Sequence, residues 1–361
     1  MNIRDVFLPL IRIGIGNDYT NSSALCNVSI DWVELKALAE KQGLSAIVLD
    51  GLDKCSAAIS DKMPVALKLE WIGEIMQNYE ARYSAYAKAI SSLSGFYNRH
   101  GYKMMILKGF ACSLDWPKPD HRPCGDIDIW QFGQWKEADS VLQKELKIKI
   151  DKSHHHHTVF NWQGFPVENH YDFINVHHHK SNVEFDELLK ELGKDDSNTF
   201  VLNSEKLYLP SPNLHALFLI KHIMLHFSTG EMTLRQLLDW GFYAKNHSKE
   251  IDWDWLESVL EEYGMKKLYD VFNAICVGDL GFDVNNFNKV QFDPTLKDRV
   301  FNEILSPEFP NEEPKLLFRR IFFKYRRWKA NEWKLKLCYK ESMRSAFWSG
   351  VKSHLMKPSS I

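Results

Sequence analysis

A chain of 361 residues, 45% hydrophobic and 25% charged, can bury a substantial core and is long enough for two or three folding units. Its formal charge of −2 argues against wholesale nucleic-acid binding, although a basic segment lies towards the C-terminus. No apolar run reaches the roughly 18 to 20 residues that a membrane span needs. The six cysteines are scattered without a CxxC pair, so neither a zinc knuckle nor a disulfide framework is indicated and a cytoplasmic protein is expected.

The elements begin with helices. Asp31 stands as an N-cap before a run that places Trp32, Leu35, Leu38 and Ala39 on one face, with Gly43 as a stop. A longer helix is predicted from about Val65 to Arg99, where Trp71, Ile75, Tyr79, Tyr83, Tyr86, Ile90, Leu93 and Tyr97 recur at three- and four-residue steps as a packing face. Between Gly101 and about Phe173 the periodicity changes to strand-like runs: Tyr102 to Leu107, Asp126 to Trp130, Lys147 to Lys152, His157 to Trp162 and Val167 to Phe173. Helices over Phe110 to Trp116 and Gln134 to Leu146 fall between them, which describes a small α/β unit with a mixed sheet. From about Phe185 the chain reads as helical again, with amphipathic runs over Asn213 to Phe227, Leu234 to Lys245, Trp253 to Tyr263 and Lys266 to Cys276. Roughly Lys315 to Lys357 is basic with interleaved aromatics, including Phe322, Phe323, Trp328 and Trp333. Three readings of that stretch stay open: a solvated helix pair, a nucleic-acid surface and an interfacial membrane helix.

The most informative triplet is Asp126-Ile127-Asp128. Residues two apart on a strand share a face, so the two carboxylates are presented together while Ile127 and Ile129 enter the core. Their repulsion calls for a divalent cation, and hard oxygen ligands on a rigid strand suit Mg²⁺ held jointly by protein and phosphates. Gly125 would let phosphates or metal approach the backbone closely. The plain alternative is an edge strand whose acidic pair faces water.

Context narrows the choice. Leu107-Lys108-Gly109 is followed, after a short helix and a loop, by Arg122-Pro123-Cys124-Gly125-Asp126-Ile127-Asp128-Ile129, and later by Val167-Glu168-Asn169-His170. In this order the motifs resemble the DNA polymerase β-like nucleotidyltransferase superfamily, and within it the branch described as uncharacterised nucleotidyltransferases. The resemblance extends to the helical flanks and covers most of Asp31 to Lys245. It implies a nucleotidyltransferase core, and with the elements above the expected organisation is an α/β (α+β) fold: a small mixed-sheet core at 101–182, a helical region at 1–100, a helical bundle at 183–290 and basic helices at 291–361. It also implies a metal-dependent enzyme that moves a nucleoside monophosphate from a triphosphate to an acceptor hydroxyl on a protein, an RNA or a small molecule, releasing pyrophosphate. In the two-metal mechanism that the resemblance implies, Asp126 and Asp128 would bridge two Mg²⁺ ions, or Mn²⁺ in their place, and Glu168, with Asp172 as its substitute, would complete the site of the ion that activates the attacking hydroxyl.

One departure stands out: the wider superfamily has Gly-Ser or Gly-Gly after the first strand, where this chain has Gly109-Phe110. Lys108 is the alternative phosphate contact beside Gly109, and Arg122 is read either as a further phosphate contact or as a loop-ordering salt bridge. His154-His155-His156-His157 and His177-His178-His179 look like metal tracts, but consecutive strand residues alternate faces, so at most half of the first would converge. His222 and His226, like Arg235 and Asp239, are four apart on a predicted helix; both pairs read first as packing, the second as an intrahelical ion pair. A function of another class stays open: an inactive nucleotidyltransferase-fold module that binds RNA or a protein partner through its basic C-terminal helices.

Overall fold

Two glycines bring the first helices together backbone to backbone. The computed structural model describes residues 3–16, 25, 28–177, 179–309 and 317–340, and begins with α1 (Arg4–Gly14), α2 (Trp32–Lys41) and α3 (Ser45–Asp53). A Cβ on Gly51 would meet the Leu10 carbonyl oxygen at 2.1 Å and one on Gly14 the Ile47 carbonyl oxygen at 2.2 Å, so only glycine permits this crossing. The strong local signal of α2 is present: the Asp31 carboxylate accepts from the backbone N–H groups of Val33 and Glu34. Beyond α3 come the short α4 (Ala57–Ser60) and α5 (Val65–Ile75).

α5 runs through a π-helical turn at Met76–Ala81 into α6 (Arg82–Arg99). The aromatic stripe is a packing face, as its spacing predicts, but it serves two cores. Trp71 and Ile75 belong to the large helical core, whereas Tyr86, Ile90, Leu93 and Tyr97 pack on the sheet. The wider π turn lets one long element change partners between them.

The sheet has six strands in the order β3-β4-β2-β1-β6-β5. β1 (Met105–Ile106) leads into α7 (Gly109–Ser113), and β2 (Ile127–Trp130) into α8 (Trp135–Leu146). β3 (His157–Trp162) and β4 (Phe165–His170) form an antiparallel hairpin, and β4 runs parallel to β2. β5 (Thr199–Leu202) and β6 (Glu205–Tyr208) form a second hairpin that completes the sheet beside β1, drawn from a stretch the sequence pattern assigns to helix. The predicted strand over Lys147 to Lys152 does not form. Lys147 ends α8 in a left-handed conformation, and only Asp151 bridges to Val159. The strand predicted over Val167 to Phe173 starts earlier, at Phe165, and stops at His170, where the N–H groups of Tyr171 and Asp172 both turn to the His156 carbonyl oxygen.

The remaining helices are α9 (Ser181–Leu192), α10 (Pro212–Thr229), α11 (Leu234–His247), α12 (Trp253–Glu262), α13 (Lys266–Gly278), α14 (Pro294–Leu305), α15 (Leu317–Ala330) and α16 (Glu332–Cys338). α11 starts with a capping box in which Thr233 and Gln236 satisfy each other's backbone donors. The fold is thus α+β, a mixed sheet flanked by helices from both sides of it in sequence. Within the basic segment, α16 is packed: Trp333 lies edge-on against Phe227, and the buried Lys334 pairs with Glu303. α15 instead leaves Phe322 and Tyr325 exposed. The rest of that predicted stretch, residues 341–357, lies outside the described residues. Among the described residues no helix is long and apolar enough to cross a membrane.

Candidate active site

The register of two parallel strands assembles the acidic group. Ile127 and Ile129 are fully buried, as strand alternation requires, and Asp128 stands opposite Glu168 across β2 and β4. Asp126 immediately precedes β2. Lys108 comes from the turn between β1 and α7, with its Nζ 2.7 Å from Asp128 Oδ1. His170, the last residue of β4, brings Nε2 to 3.0 Å from the same oxygen and to 3.6 Å from Glu168 Oε2.

These neighbours divide the carboxylates. Burial would raise the Asp128 carboxyl, but Lys108 and His170 outweigh it and hold the group far below the usual carboxylate range. Asp126 is raised, first by the charge of Asp128 and then by burial. Glu168 is lowered, because the hydrogen bond from His170, helped by Lys108, overcomes burial and the repulsion of Asp128. Burial opposes the charge on Lys108 and on His170, yet the facing carboxylates raise both.

Gly109 carries the turn that aims Lys108. Its φ is +40°, and a Cβ there would meet the Tyr86 hydroxyl at 2.6 Å. That hydroxyl donates to the backbone oxygen of Asp126 at 2.6 Å, so one contact ties the turn to the start of the acidic strand. Gly109→Ala is expected to cost about 1–3 kcal/mol through backbone strain and the clash, and to lower activity at least about tenfold by displacing Asp126. Activity and thermal melting of Gly109→Ala beside the Gly109→Ala, Tyr86→Phe pair check this: removing the hydroxyl should recover part of the loss. Phe110, in place of the superfamily's serine or glycine, points away into the core against Tyr83, Tyr86 and Phe200. Gly125 borders open space, with no atom within 4 Å of a Cβ built there.

The other candidates are spread around this group. Arg122 is buried and grips Asp239 with both edges of its fork, Nε to Oδ1 at 2.8 Å and Nη2 to Oδ2 at 2.9 Å, while the Trp116 indole donates to the same carboxylate. The predicted intrahelical pair of Arg235 with Asp239 therefore does not form. Arg235 is partly buried, with no hydrogen bond or ion pair to it among the described residues, and burial followed by the nearby Arg122 lowers its pKa. Asp172 turns away from Glu168 and pairs with Lys190. On α10, His222 and His226 sit 3.1 Å apart between their Nε2 atoms. Burial and Lys108 keep His222 well below its ordinary pKa, and His226 is pushed down to about 4.

Two rings of the histidine tract converge, within the half that alternation allows, but they are adjacent residues and not alternate ones. His157 opens β3 and pairs in register with His170, whereas His156 precedes the strand and is free of its alternation. Both rings therefore reach His170, with centroids 5.5 Å (His156) and 5.3 Å (His157) away. Arg235 and His222 were visible in the sequence only as halves of helical pairs, and His156 only as one member of its tract.

A separate cleft of about 510 Å³ is lined by Lys221, Lys324, Arg327, Asn175 and Ser228 among others, and Asp126, Asp128 and Glu168 are not part of it. In comparison with known proteins, a family described as uncharacterised nucleotidyltransferase fits residues 28–277, well over half of the chain. No curated protein and no solved structure matches.

Proposed function

The chain belongs to the uncharacterised nucleotidyltransferase family, and from that premise we propose that it transfers a nucleoside monophosphate from a triphosphate to an acceptor hydroxyl at the site of Asp126, Asp128 and Glu168. The observation that carries the reading is the register that sets Asp128 opposite Glu168, with Lys108 on Asp128. An acidic group built this way fits a divalent cation. Three carboxylates face Lys108, and Asp126 is held raised chiefly by the charge of Asp128. Asp126, Asp128 and Glu168 would hold Mg²⁺, or Mn²⁺ in its place, which supplies charge neutralisation at the phosphates and acidifies the attacking hydroxyl.

The chain's own residues do the positioning. The acceptor oxygen bonds to the α-phosphorus as the bond from that phosphorus to the β-phosphate oxygen breaks, and pyrophosphate leaves. The hydroxyl proton passes to Glu168, whose side chain is 24% exposed where that of Asp128 is 3% exposed. Lys108 and Arg235 are the cations for the phosphates. Lys108 is a flexible point charge that exchanges Asp128 for a phosphate oxygen, and Arg235 is a fork that no carboxylate among the described residues holds. Most of the acceleration then comes from orientation and charge placement.

Transfer from the four α-phosphate-labelled ribonucleoside triphosphates into fractionated host-cell extract, with Mg²⁺ or Mn²⁺, tests the proposal and sorts protein, RNA and small-molecule acceptors. Label that enters a fraction only with metal supports it. No transfer, together with no metal-dependent nucleotide binding, would favour the binding module instead. In the same assay Arg235→Met should raise the triphosphate KM about tenfold, the scale of one charge-assisted contact, and change kcat much less.

A further inference from the structure

We propose that His156, His157 and His170 form a nitrogen-rich site for a borderline transition dication of the Zn²⁺ type. The proposal goes beyond nucleotidyl transfer and does not involve Asp126.

Geometry is the first support. One ligand atom from each of His156, His157 and His170 lies within 4.8 Å of the other two, and the same holds for Asp128, Glu168 and His170, so the two sets share His170. Zinc bound at about 2.0–2.1 Å by each nitrogen needs separations a little over 3 Å, which small rotations of rings already this close provide. The backbone holds the three histidines in place. His157 is registered against His170 across β3 and β4, and His156 is pinned by its carbonyl oxygen, which accepts from the N–H groups of Tyr171 and Asp172.

Hydrogen bonding is the second. His157 is 6% exposed, and among the described residues neither of its ring nitrogens has a hydrogen-bond partner, Nδ1 coming no closer than 3.6 Å to Glu168 Oε2; the Nδ1 of His156 has none either. Leaving such groups unpaired costs about 1–3 kcal/mol each, and a metal bond removes that cost. The third support is the orientation of His170. Its Nδ1–H donates to the Asp172 carbonyl oxygen at 3.2 Å and its Nε2–H to Asp128 at 3.0 Å, so the ring is fixed in orientation and a metal would take the place of the Nε2 proton. Metal-bound histidines are commonly held in this way by a backbone carbonyl on the far nitrogen. The carboxylates beside His170 favour a cation there: Asp128 Oδ1 lies 3.0 Å and Glu168 Oε2 3.6 Å from its Nε2. A donor set of three imidazoles suits zinc and its neighbours and disfavours Mg²⁺, which takes oxygen ligands.

The test uses the full chain, purified without a histidine tag and stripped with a chelator, and needs no turnover. Zn²⁺ is titrated in competition with a chromophoric chelator, and Co²⁺ is added separately to read its visible spectrum. The expected result is one tightly held Zn²⁺ per chain that excess Mg²⁺ does not displace, with a Co²⁺ spectrum of low-coordinate nitrogen ligation. His157→Gln should weaken Zn²⁺ at least about 100-fold, as loss of a direct ligand exceeds the 10–100-fold loss of a supporting partner. His154→Gln, at the exposed end of the tract, should leave binding unchanged. Asp126→Asn should still bind Zn²⁺ even where it loses transfer, so failure of the catalytic reading and failure of this one are told apart. Binding that falls equally in His154→Gln, that is indifferent to His157→Gln, or that Mg²⁺ abolishes would overturn the site. Should His157→Gln fold poorly, an octahedral, oxygen-type Co²⁺ spectrum from the wild-type chain would overturn it by itself.

Discussion

Asp128→Asn is expected to abolish nucleotidyl transfer, by about 10³-fold or more, in a chain that stays folded. Asparagine keeps the shape and removes the charge at the centre of the group, and about 4 kcal/mol of lost transition-state stabilisation corresponds to that factor. Folding should survive because no neighbour is stranded. Lys108 still faces Glu168 and Asp126, and His170 keeps Glu168 at 3.6 Å. The largest cause of the raised Asp126 carboxyl disappears, so Asp126 should titrate lower in the variant. Labelled-nucleotide transfer, with circular dichroism and a thermal melt beside it, gives the answer. Full activity in Asp128→Asn would remove the acidic pair from the mechanism.

The acidic centre was legible in the sequence because each of its parts is local. Strand alternation places Asp126 and Asp128 against Ile127 and Ile129, and the Leu-Lys-Gly turn and the Val-Glu-x-His strand are short motifs. The register between them is not local, yet the motif order implied it, and Asp128 does stand opposite Glu168. What escaped depends on partners distant in the chain or on weak turn signals. The β5–β6 hairpin turns on Asn203-Ser204, both with positive φ, and lacks the glycine that makes such a turn recognisable. Lys147 to Lys152 has a strand-like composition, but the sheet offers it a single bridge, and composition cannot report a missing neighbour. His156 escaped for a different reason. The alternation rule was applied to the whole tract, while the strand begins only at His157.

The partner of Arg122 lies 117 residues away on another helix, which no local pattern can show. The pair nevertheless governs the loop that leads into β2. Asp239→Ala is expected to destabilise the chain by about 3–5 kcal/mol, the usual cost of stranding one member of a buried ion pair, and to lower Tm by on the order of 10 °C at roughly 2–4 °C per kcal/mol. Both residues are 5% exposed, and the Trp116 indole would lose its acceptor as well. Activity should fall with stability, since Arg122 is only four residues from Asp126. The Arg122→Met, Asp239→Leu pair separates the two readings of Arg122. Replacing a buried ion pair by apolar residues of similar volume is often neutral, so the double variant should regain most of the lost Tm. If Arg122 orders the loop, transfer recovers along with stability. If it contacts phosphate, the double variant melts like wild type and stays inactive; the grip of both Asp239 oxygens on its fork favours recovery.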